Sequence, residues 1–105
     1  SLGYATHLIF FWLQSPELAV ERVAARVRLG GHDVPEETVR RRYQRGLQLF
    51  FKSYIDTVDS WRMYDNSKLN DPDRIASGGR HRPIEIIEGE LWAKILQQAN
   101  PHVEA

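Results

Sequence analysis

The 105-residue sequence contains no cysteine. Disulfide scaffolds, thiolate metal sites and cysteine nucleophiles are thereby excluded, and the composition fits a reducing, cytoplasmic setting. Long hydrophobic runs are also missing. The longest, Leu8 to Leu13, has six residues, far short of the ~20 needed to span a bilayer, and no signal-peptide pattern opens the chain. Net charge is absent, with 14 basic residues against 14 acidic ones, so the chain as a whole is not steered toward nucleic acid or an anionic membrane. The histidines His7, His32, His81 and His102 lack metal-ligand spacing, so metal binding by protein side chains is not expected. No Ser/His/Asp nucleophile arrangement is legible. Nor is there a Gly-x-x-x-x-Gly-Lys-Ser/Thr loop to cradle nucleotide phosphates.

What is present belongs to one folded domain or a piece of one, with 42% hydrophobic and 27% charged residues. Thr6 to Leu13 is aliphatic and aromatic without alternation, the pattern of a parallel strand buried on both faces. Ser15-Pro16-Glu17 starts a helix: serine caps it, proline takes the first helical position and glutamate meets the positive end of the dipole. Val20, Val23, Ala24 and Val27 form its apolar stripe, and Gly30-Gly31 ends it. A second helix opens at Pro35-Glu36-Glu37 and runs to about Val58, with Val39, Tyr43, Leu47, Phe50, Tyr54 and Val58 on one face. Gly46 marks a kink or a close-packing point within it. Trp61 to Asn66 reads as a second strand, paired parallel to the first through a right-handed crossover. Arg74 to Ser77, Gly78-Gly79 and Arg82 to Ile87 form a small hairpin. Glu90 to Ala99 is a last amphipathic helix, with Leu91, Trp92, Ile95 and Leu96 on one side.

Charge is balanced in total but not locally. From Arg22 to Arg45 seven arginines face three carboxylates, whereas from Asp56 to Asp73 five aspartates face Arg62 and Lys68. Arg22, Arg26 and Arg28 precede the glycine pair; Arg40, Arg41, Arg42 and Arg45 follow it. Arginine suits phosphate because its planar fork donates paired hydrogen bonds and stays charged. Two arginine-bearing helices joined at a glycine turn therefore point to a lid that closes over phosphate. His32, directly after the glycines, is placed to donate to the same anion. Asp65 and Asn66 end the second strand, where ligands bind in open α/β sheets. A plainer reading stays open: Glu36 and Glu37 precede Arg40 and Arg41 by four residues, the favoured order for surface ion pairs on a helix.

His7 to Leu13, Ser15-Pro16-Glu17-Leu18-Ala19, Arg22-Val23 and Arg26-Val27 lead into Gly30-Gly31-His32-Asp33-Val34-Pro35. Arg40-Arg41-Arg42-Tyr43 and Tyr64-Asp65-Asn66-Ser67 follow. In this order the chain resembles the C-terminal half of the zeta-toxin-like P-loop kinases, often called predicted ABC-type ATPases, over Gly3 to Ala99. The resemblance implies that residues 1–105 are the lid-bearing part of an α/β, Rossmann-like P-loop domain, with a small C-terminal hairpin plus helix. It implies ATP and Mg2+ as cosubstrate and cofactor, a small-molecule phosphoryl acceptor such as a nucleotide sugar, and neutralisation by an antitoxin. Arg26 and Arg41 take the catalytic role of neutralising the transferring phosphate; His32, Arg42 and Arg45 bind nucleotide phosphate, and Asp65 and Asn66 lie on the nucleotide-base side.

The family's phosphate loop and catalytic aspartate have no counterpart here, so the chain alone is expected to be inactive. It also opens without methionine beside a strand-like run, like a cut edge. An open hydrophobic edge at Thr6 to Leu13 predicts a homodimer or strand exchange. The alternative from another class is a non-catalytic protein- or RNA-binding module that uses the arginine-rich helix.

Overall fold

The computed structural model describes residues 3–100. They form a mixed α/β fold on an open four-stranded sheet of order β1-β2-β3-β4. The elements run β1 (His7–Trp12), α1 (Pro16–Arg28) and α2 (Glu36–Leu49). A π-helical segment, Phe50–Tyr54, and a short α3 (Ile55–Thr57) continue α2. Then come β2 (Ser60–Asp65), β3 (Asp73–Gly79), β4 (Arg82–Ile86) and α4 (Gly89–Ala99). β1 and β2 pair in parallel, His7 opposite Ser60 through Trp12 opposite Asp65; β3 and β4 complete the sheet antiparallel.

Helices cover one face of this sheet. Leu47 and Phe50 from the long helix, and Trp92, Ile95 and Ala99 from α4, meet Trp12, Trp61, Met63, Ile75 and Ala76 from the strands. Phe50 is the hub. Its ring lies 5.2 Å from Phe10, 5.0 Å from Phe51 and 5.0 Å from Trp61, the last two edge-on. Edge-on contact sets the positive rim of one ring against the negative face of the next. Trp61 stacks on Trp92 at 5.7 Å, while its buried Nε1 has no hydrogen-bond partner among the described residues.

β1 departs from the expected doubly buried strand. Leu8 and Phe10 are half-buried and Trp12 buried, but Ile9 and Phe11 are each 55% exposed. The physical reason is that α2 and α4 both lie on one side, so the side chains that alternate to the other face meet no layer. The second helix also departs from a uniform α-period. Val39, Leu47, Phe50 and Val58 are buried as the spacing predicts, yet Tyr54 is 42% exposed. The π-turns fit more residues into each turn, so the phase slips and Ile55 packs against the core where Tyr54 was expected. Gly46 is not a close-packing point, since a Cβ there would find no atom within 4 Å.

In the hairpin the two glycines sit inside β3 and not in its turn. Two residues, Ile75 and Ala76, oppose Met63 alone, because Tyr64 already pairs with Arg74. This bulge lets both Ile75 and Ala76 reach the core. In α4, Leu96 is exposed and Ala99 takes the buried position instead. At the start of the parallel pair, the Asp59 carboxylate accepts from the Thr6 backbone N–H at 2.7 Å and from Arg80 at 2.8 Å. These partners hold the Asp59 carboxyl below the usual carboxylate range, the Thr6 N–H being the largest cause.

Candidate functional site

The carboxyl ends of β1 and β2 lie side by side, and α1, the first arginine-bearing helix, springs from there. Ser15 caps α1, its hydroxyl accepting from the Leu18 N–H at 3.1 Å. The α1–α2 elbow is a Schellman cap: Gly31 N–H donates to the Arg26 carbonyl at 2.8 Å and Gly30 N–H to Val27 at 3.0 Å. Both glycines are demanded by it. Gly30 adopts φ +94°, and a Cβ on Gly31 would stand 2.9 Å from the Arg26 oxygen. The turn that joins the arginine helices is thus a defined, hydrogen-bonded corner.

Several side chains fasten this corner to the strand tips. Tyr43 of α2 donates its hydroxyl to the Leu13 carbonyl at 2.6 Å, and burial, with Glu17 adding to it, pushes the phenol pKa up and keeps it a donor. Arg22 of α1 donates to the carbonyls of Asn66 and Ser67, both at 2.9 Å. Asp65 closes a turn by accepting from the Ser67 N–H at 2.9 Å. The Ser67 hydroxyl in turn accepts from the Gln14 N–H at 3.0 Å. Both Asp65 and Asn66 therefore lie at the β2 tip as expected, and the Asp65 carboxylate already serves its own loop.

The arginines divide into two sets. Arg40 bridges the helices, bonded to Glu17 at 2.8 Å and Glu36 at 3.0 Å. Those bonds, Glu17 first, raise its pKa further. Arg22 is committed to the β2 tip. Arg26, Arg28, Arg41, Arg42 and Arg45 are exposed, and among the described residues none has a carboxylate within 4.0 Å. Arg42 alone of this set lines the apolar hollow of about 220 Å³ at the β1 tip, with Trp12, Leu13 and Tyr43 among the other walls. Arg26, His32, Arg41 and Arg45 stand outside that hollow. The two arms of the elbow thus carry these cations, Arg26 and Arg28 on α1 and Arg41, Arg42 and Arg45 on α2. The anchoring roles of Arg22 and Tyr43 were not foreseen. Only their half-buried places beside strand ends distinguish them from their neighbours.

Compared with known protein families, curated proteins and solved structures, the chain matches none.

The donor set also bears on cofactors. Among the described residues no group of three or more metal-capable side chains gathers. No helix is long and apolar enough to cross a membrane among the same residues.

Proposed function

We propose that this chain is the lid-bearing part of a zeta-toxin-like, ATP-dependent small-molecule kinase with a Rossmann-like P-loop core. Polypeptide outside these residues would hold the nucleotide, its Mg2+ and the acceptor. One observation carries the reading. Two helices joined at a glycine corner, and tied by Arg22 and Tyr43 to the ends of a parallel strand pair, carry arginines with no carboxylate partner among the described residues, whereas Arg22 and Arg40 of the same helices are spent on structure.

Phosphoryl transfer needs positioning and charge neutralisation more than covalent help from the protein. Guanidinium groups carried on a helical corner supply the second. Arg26 and Arg41 neutralise the transferring phosphate, Arg42, Arg45 and His32 hold its neighbours, and Asp65 and Asn66 border the base. Arg22 and Tyr43 set where the corner rests. An antitoxin that covers the same corner would block closure without touching the chemistry.

Arginine side-chain N–H signals followed by NMR during titration with tripolyphosphate, ATP and a short RNA test the reading. The expected result is a weak response of Arg26, Arg41 and Arg42 to both phosphate compounds, with no ATP turnover by the chain alone. Unmoved arginine signals, or a response confined to RNA with a steep salt dependence, would replace it with the binding-module alternative.

A further inference from the structure

The side of the sheet turned away from the helices has its own composition. In β1 and β2, Ile9 lies beside Arg62 and Phe11 beside Tyr64. The Phe11 and Tyr64 rings meet at 5.8 Å, tilted by 34°. These apolar groups form an exposed strip, Ile9 and Phe11 each being 55% exposed. Two adjoining hollows, of about 340 and 420 Å³, share Ser60 and Arg62 and make one shallow trough from β1 across to β4.

Cations rim this trough. Arg62, Arg74 and Arg82 line its floor and far side, with Glu85 the one carboxylate among the lining residues. Among the described residues none of the three arginines lies within 4.0 Å of a carboxylate. The strand pairing adds an independent argument. Parallel strands covered by helices on both faces carry apolar side chains toward both, and Ile9 and Phe11 keep that pattern on the uncovered side. Among the described residues the parallel pair is covered on one face only. What fits the other is an element with an apolar stripe for Ile9, Phe11 and Tyr64 and carboxylates for the arginines. A helix satisfies both, since its stripe and flanks lie along parallel lines at the width of two strands.

We infer that the bare sheet face docks an acidic amphipathic helix supplied by another polypeptide. The helix crosses β1 to β3, its apolar stripe on Ile9, Phe11 and Tyr64 and its carboxylates against Arg62 and Arg74. Charge complementarity fixes its sign: a basic helix with the same stripe would set like charges together and be disfavoured. The inference uses neither the arginine corner nor any phosphate.

The test uses the purified chain and two synthetic helical peptides of equal length, with the same leucine stripe flanked by glutamates in one and lysines in the other. Backbone amide shifts at Ile9, Phe11, Arg62 and Tyr64 report the site. The acidic peptide is expected to move them and to bind at least about tenfold tighter than its lysine twin. In R62E/R74E, whose substitutions are at exposed positions, the preference should invert while tryptophan emission and far-UV circular dichroism stay unchanged. Equal binding of the two peptides would overturn the inference. So would shifts confined to the arginine helices, or a face already occupied by a second copy that the acidic peptide does not displace.

Discussion

Arg22 Nη2 donates to the carbonyl oxygens of both Asn66 and Ser67 at 2.9 Å, across 44 and 45 positions of sequence. One guanidinium thereby ties the first helix to the tip of the second strand. The tie matters because α1 has no fully buried residue; packing on α2 and the Arg40 bridge are its other restraints. Arg22→Ala should cost about 1–2 kcal/mol, the usual value of a half-exposed charge-assisted pair of hydrogen bonds. Hydrogen exchange should accelerate in α1 and in the 65–68 loop while α4 stays protected. Uniform acceleration over the whole chain would show that Arg22 supports the core and not this corner.

The free edge of β1 makes a different prediction. Thr6 and Trp12 direct their carbonyls into β2, so by the alternation of a parallel ladder His7, Ile9 and Phe11 point theirs outward. An unguarded edge of that kind pairs with its like, whereas the opposite edge, β4, carries Pro83 and charged residues. Light scattering should find a dimer that Ile9→Pro disrupts, because proline there removes an outward N–H and no ladder bond. A wild-type monomer at high concentration would refute edge pairing.

Much of this fold was legible before the structure, for reasons that can be located. Ser15-Pro16 and Gly30-Gly31 bracket α1 because caps are local chemistry, settled by neighbouring residues. The parallel pairing followed from two strand-like runs joined through helices. The exposed face of β1 was not legible, because Leu8 to Leu13 reads the same whether one layer or two cover it; the missing layer is a tertiary fact. The π-segment was hidden likewise, since no residue at Phe50–Tyr54 signals it; in the fold Phe50 packs on Trp61 and Phe51 on Trp92 there. At the site, sequence grouped the arginines correctly by helix. It could not single out Arg22, whose partners 44 and 45 positions away leave no local trace, and although Glu36 four residues before Arg40 signalled that pair, Glu37 before Arg41 gave the same signal without forming one.

Low pH should weaken the fold through Asp59. Its carboxyl is held below the usual range in the folded state, by the Thr6 N–H and then by Arg80. The folded protein therefore binds this proton less readily than the unfolded chain. The stabilisation is fully present above the unfolded pKa and is lost as pH falls through the folded one. Urea midpoints should decline from about pH 4 downward, and Asp59→Asn should flatten that decline. An unchanged slope in the variant would assign the acid sensitivity elsewhere.

Glycines offer a paired test of packing. A Cβ on Gly78 would stand 2.9 Å from the Trp61 ring, held in turn by Trp92, so Gly78→Ala should destabilise by about 1–3 kcal/mol. Gly46 is helical with open space around it. Gly46→Ala should stabilise by about 0.5–1 kcal/mol, by reducing the freedom of the unfolded chain. Denaturation midpoints moving in opposite directions would support both; a loss at Gly46 would mean the helix needs its flexibility there.

Arg40 and Arg41 are neighbours in sequence with opposite circumstances, and the difference separates a phosphate-binding corner from a merely charged one. Arg40 spends its donors on Glu17 and Glu36, all three side chains being well exposed, so its removal should cost little stability. Removing it also frees two carboxylates, leaving the corner more negative. If affinity for tripolyphosphate follows net charge alone, Arg40→Ala should therefore weaken it at least as much as Arg41→Ala does. If instead unpartnered guanidinium forks bind the anion directly, Arg41→Ala should lose severalfold more affinity than Arg40→Ala, and Arg41→Lys should recover only part of it, because lysine keeps the charge but not the fork. Calorimetric titration at low and moderate salt distinguishes the cases. Equal losses at positions 40 and 41, restored fully by lysine, would reduce the arginine corner to a solvated helix face.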